Sequence, residues 1–98
     1  MRLETARNTK EIWDNKLNKV IEKRLPTTTV WVFGTVNQLD KFEKYIEEYF
    51  PNSNSQVREE DGKQSADDKI KLYSDFYTID YEDIKYFKYL YKRFKEVL

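Results

Sequence analysis

The C-terminal segment carries the chain's most regular arrangement of reactive side chains. Lys85, Lys88, Lys92 and Lys95 recur at i, i+3, i+7 and i+10, which lines four ammonium groups along one strip of a helix. Tyr86, Tyr89 and Arg93 fall on a neighbouring strip, away from the apolar positions. Tyrosine and arginine are the residue types enriched at protein interfaces, because each offers a large contact area and a polar end. Partner binding is therefore assigned to Tyr86, Tyr89 and Arg93. The lysines with Arg93 suit phosphate contacts, with tyrosines as stacking groups. A solvated helix face, with lysine stems lying over apolar surface, would read the same way.

A second concentration is acidic. Glu59, Glu60, Asp61, Asp67 and Asp68 could offer oxygen ligands to Mg²⁺ or Ca²⁺. Glu60-Asp61-Gly62-Lys63 resembles the acidic-plus-lysine element of metal nucleases. The spacing of a calcium-binding EF-hand loop is absent, and a solvated loop is the simpler account.

Other chemistries are excluded by composition. The chain has no His and no Cys, so triads built on His, thiolate nucleophiles and disulfides are impossible. Its two glycines, Gly34 and Gly62, cannot build a glycine-rich phosphate loop. No cofactor and no small-molecule substrate is indicated, and the chain is expected not to be an enzyme.

The 98 residues fit one domain, 1–98. Charged residues make up 37% and apolar residues 39%, but aromatics reach 16% and can carry a core. Formal charge is zero overall and uneven along the chain. Residues 1–36 hold seven basic and four acidic side chains, residues 37–68 four and nine, and residues 69–98 seven and five. The result could be one basic and one acidic side. The first residues contain no apolar stretch like that of a secretory signal, and Val30 to Phe33 is far too short to span a bilayer. The expectation is a cytoplasmic protein, in the host cytoplasm if viral. The richness in Lys, Tyr, Asn, Ile and Glu suits a viral or mobile-element origin.

The elements that must position these groups follow from periodicity. Residues 8–25 read as a helix: Asn8 and Glu11 have capping-box spacing, Trp13, Leu17, Val20 and Ile21 form a stripe, and Pro26 stops it. Residues 27–36 read as a strand, β-branched and aromatic. Residues 37–50 read as a helix capped by Asn37, with Leu39, Phe42, Ile46, Tyr49 and Phe50 inward. Residues 52–69 read as an acidic loop or a hairpin with a short strand near 55–60 turning at Asp61-Gly62. Residues 70–79 read as a strand and 80–98 as a helix capped by Asp80, with Ile84, Phe87, Tyr91, Phe94 and Leu98 inward.

The expected fold class is α+β, with a small antiparallel or mixed sheet. After the first helix, βαββα is a ferredoxin-like unit lacking a strand. Trp31 and Phe33 would then share an open face with Tyr73 and Tyr77, unless the added N-terminal helix covers it. Sheet aromatics placed in this way resemble the arrangement of RNA-recognition motifs, where they stack bases.

The sequence points to a small non-enzymatic interaction or regulatory protein. Its partner would be another protein or a second copy, a homodimer being the simplest assembly. The alternative is a nucleic-acid-binding module using Lys85, Lys88, Lys92, Lys95, Arg93, Tyr73 and Tyr77. A third reading is a metal-dependent nuclease at the acidic segment.

Overall fold

The structure, a computed structural model, describes residues 1–61 and 71–98. The described elements run β1 (Arg2–Asp14), β2 (Lys19–Gly34), α1 (Val36–Glu47), β3 (Asn54–Glu60), β4 (Tyr73–Asp80), a 3-10 turn (Tyr81–Asp83) and α2 (Ile84–Glu96). The class is α+β: a four-stranded antiparallel sheet in the order β1-β2-β4-β3, with both helices packed on one face.

The expected helix over 8–25 is instead the two arms of a hairpin. β1 pairs with β2 from Arg2–Phe33 out to Asp14–Lys19. The reversal at 15–18 has its own chemistry. Asp14 Oδ1 accepts from the backbone N–H groups of Lys16 (2.8 Å) and Leu17 (3.1 Å), and Asn18 takes the left-handed conformation at φ 52°. Asn8 caps no helix. Its amide donates to Thr27 Oγ1 at 2.9 Å and its carbonyl oxygen accepts from Thr29 Oγ1 at 2.7 Å, tying the two arms together. Pro26 ends nothing either. It lies in β2 where the register shifts between Arg7 and Thr9, and there its missing N–H leaves no gap in the ladder.

β2 binds the sheet into one piece. Its even residues Thr28, Val30 and Val32 face the helices and lie opposite Ile79, Tyr77 and Asp75 of β4. On that face Leu39, Phe42 and Ile46 of α1 meet Phe87, Leu90 and Phe94 of α2. Phe42 sits at the centre, with edge-to-face contacts to Tyr77, Phe87, Tyr91 and Phe94 at centroid separations of 5.2–5.9 Å.

Helix starts differ from expectation. Thr35, not Asn37, caps α1 in a reciprocal box: Thr35 Oγ1 accepts from Gln38 N–H, and Gln38 Oε1 accepts from Thr35 N–H. A Cβ at Gly34 would stand 2.9 Å from Gln38 Oε1, so glycine leaves space for that side chain. α1 ends at Glu47, which leaves Tyr49 and Phe50 in the following turn. Asp80 gives the turn at Tyr81–Asp83 no side-chain cap, and neither does Asp83 for α2. The strand expected near 55–60 is β3, paired antiparallel with β4. Gly62 and Ile70, assigned to the hairpin turn and the next strand's start, lie outside the described residues.

One ionic cluster pins β3 down. Arg58 donates from Nε to Asp75 Oδ1 at 2.7 Å and from Nη2 to Oδ2 at 2.9 Å. Its Nη1 donates to Asp40 Oδ1 at 2.9 Å, linking β3 and β4 to α1. The hydrogen bond to Asp75 is the main reason the guanidinium pKa rises above its ordinary value.

Candidate interaction surface

The tyrosines of α2 do not stand alone. Tyr86 and Tyr89 are three residues apart, and their rings stack at 6.4 Å with a 16° interplanar angle. Arg93 lies one further turn along, donates from Nη1 to the Tyr89 hydroxyl at 3.3 Å, and places its guanidinium 5.9 Å from that ring's centroid. These three were assigned together from sequence, and the helix presents them together.

The end of α1 extends the group. Because α1 stops at Glu47, Tyr49 and Phe50 turn toward α2. Tyr49 meets the Tyr86 ring edge-on at 6.1 Å, and Phe50 lies 5.8 Å from it. Tyr45 links Tyr49 (5.7 Å) to Phe94 (5.5 Å). The result is a continuous aromatic surface across two helices: Tyr45, Tyr49, Phe50, Tyr86 and Tyr89, with Arg93 at its margin. Tyr49, Tyr86 and Tyr89 are each 42–52% exposed. Desolvation raises the Tyr45 pKa, and the neighbouring Tyr49 adds to the effect while Arg93 opposes it. Sequence reasoning placed Tyr49 and Phe50 in the core stripe of a longer helix. The signal that could have moved them was the pair Pro51-Asn52, which allows a helix to end early.

The lysine strip divides. Lys85 and Lys88 line a groove of about 600 Å³ between α2 and β1, together with Thr5, Arg7, Thr28, Tyr81, Glu82 and Ile84. Arg7 was not singled out from sequence. Its Nε donates to Leu25 O at 2.6 Å, and its guanidinium lies 3.8 Å over the Tyr81 ring. Lys95 is directed toward the Tyr91 ring at 5.5 Å, and Lys92 is exposed.

The sheet aromatics separate in a way opposite to that expected. Val30 pairs with Tyr77 and Gly34 with Tyr73, so both tyrosines lie on the helix side. Tyr77 is 1% exposed within the core and can stack on no external base. Phe76 takes the open face instead, edge-on to Trp31 at 6.1 Å, while Arg2 covers Phe33 at 4.0 Å. No helix lies over this face. The apolar stripe assigned to cover it is in the hairpin, where Trp13, Leu17 and Val20 are more than half exposed.

Among the acidic residues, Asp61 is 7% exposed with Arg2 Nη2 at 3.5 Å, and Glu59 lies in β3 opposite Ser74. Asp67 and Asp68 are outside the described residues. Among the described residues no group of three Asp, Glu, His or Cys could hold a metal ion. No helix is long and apolar enough to cross a membrane.

No protein-family model, curated protein or solved structure matches the chain.

Proposed function

We propose that this chain is a non-enzymatic interaction protein that binds a protein partner through Tyr45, Tyr49, Phe50, Tyr86, Tyr89 and Arg93. The observation that carries the reading is the continuity of that surface. Five aromatic rings from two helices touch in sequence, yet three of them stay about half exposed. Rings held by one another lose little conformational freedom on docking, and their hydroxyls and Arg93 can satisfy a partner's polar groups.

The strand order also supports reading β2 to α2 as a ferredoxin-like unit. In that reading β1 stands beside β2, in the place the unit's absent last strand would take.

The test is affinity capture with the wild type and with Tyr86→Ala/Tyr89→Ala, with light scattering run in parallel for self-association. A partner or a dimer retained by the wild type and lost from a variant of unchanged circular dichroism supports the reading. Equal capture by both proteins removes it.

A further inference from the structure

The groove on the opposite flank of α2 has the composition of an anion site. Three cationic side chains converge on it from two elements, Arg7 from β1 and Lys85 and Lys88 from α2, against one carboxylate, Glu82. Arg7 is held in place by its bond to Leu25 O and by the Tyr81 ring, so its remaining N–H groups are oriented in advance. Neither lysine makes an ion pair with any described residue.

Two further features point to a ligand. The groove meets the start of α2, where Asp83 provides no side-chain cap, so the first-turn N–H groups have no side-chain acceptor. Thr28 lines the groove at 4% exposure, and its hydroxyl has no hydrogen-bond partner among the described residues. A buried hydroxyl without a partner is costly, and a bound oxyanion would accept from it.

We propose that the groove between β1 and α2 binds a phosphate group, through Arg7, Lys85 and Lys88 with the uncapped start of α2. Phosphate fits because its oxygens take several charge-assisted hydrogen bonds at once, and an arginine fork with two lysines provides them. The phosphate can belong to a free phosphorylated compound or to a nucleic-acid backbone. This site is independent of the tyrosine surface, and the loss of either leaves the other standing.

The experiment is a titration of the full, isotopically labelled chain followed by amide shifts, with inorganic phosphate in one arm and a single-stranded oligonucleotide in the other. Shifts are expected at Arg7, Thr28, Ile84 and Lys85. Lys85→Gln/Lys88→Gln is expected to weaken binding about tenfold or more, the size of one charge-assisted hydrogen bond. With the oligonucleotide it also lowers the slope of log affinity against log salt by about two. Lys92→Gln/Lys95→Gln, on the same helix outside the groove, is the control and leaves binding of inorganic phosphate unchanged. Saturation by inorganic phosphate assigns a free phosphorylated ligand, and a response to the oligonucleotide alone assigns a nucleic acid. The proposal is overturned if neither probe shifts these amides, or if the control variant weakens inorganic phosphate as much as the groove variant does.

Discussion

Tyr77 shows how one residue's position changes what it can do. Its ring is core, and its hydroxyl is buried without a hydrogen-bond partner among the described residues, with Asn54 beside it but outside hydrogen-bonding geometry. Burial raises its pKa well above the ordinary tyrosine value, and the charge of Asp75 adds to the shift. The unfolded chain therefore releases this proton near pH 10 while the folded chain keeps it. Stability contributed by the neutral phenol is complete below pH 10 and declines as pH rises above it. Tyr77→Phe removes the unpartnered hydroxyl and that titration. Urea unfolding at pH 7 should show the variant within ~1 kcal/mol of wild type. Between pH 10 and 11 its stability should fall less steeply with pH, though Tyr45 and Tyr91, also raised by burial, keep part of the slope. A slope identical to wild type would show that Tyr77 is not a titrating group of the fold.

At the scale of elements, the decisive contrast lies within one hairpin. β2 pairs with β4 only from Thr27–Asp80 to Gly34–Tyr73. Beyond Thr27 the arms have no third strand beside them, so at about 3.3 Å per residue a ribbon of roughly 20 Å projects past the sheet. Like charges face each other there, Lys10 across from Lys23 and Glu11 across from Glu22, which weakens the pairing. Ribbon amides such as those of Ile12 and Ile21 should exchange with solvent at opening energies ~2 kcal/mol or more below those of Val30 and Val32. Native-state hydrogen exchange measures this directly, and equal protection would mean that the ribbon opens only with the whole fold. The stripe Trp13, Leu17, Val20, Ile21 has helical spacing, yet Asp14 and Asn18 are turn residues with local hydrogen bonds of their own. Those two residues were the readable sign of a hairpin.

For the whole molecule, the radius of gyration is 16.2 Å and the long axis 53 Å. A compact chain of this length would have a radius of about 13 Å. The excess reflects the projecting ribbon, so a single small core between sheet and helices must hold the molecule together. Phe42 joins the faces of that core, touching Tyr77 of β4, Phe87, Tyr91 and Phe94 of α2, and Tyr45 of α1. Phe42→Ala should cost about 3–5 kcal/mol, a large part of a total that is about 5–15 kcal/mol for domains of ordinary stability. Chemical denaturation should show the midpoint falling accordingly, and a loss below about 1 kcal/mol would mean that the core closes around the gap.

The sequence by itself determined the elements whose periodicity was unambiguous. The α+β class, the stripe Leu39, Phe42, Ile46, the helix carrying Phe87 and Phe94, and the grouping of Tyr86, Tyr89 and Arg93 were all legible, because local spacing alone sets which residues share a face. What only the tertiary structure decided came from pairing between distant segments. Residues 8–25 became strands because a strand's hydrogen bonds are made with another segment, and β2 offered one. The register of β2 against β4 buried Tyr77 and turned Phe76 outward, since one step in register exchanges the two faces of a strand. The groove at Arg7, Lys85 and Lys88 needed β1 to lie beside β2, where it faces a helix far away in the chain.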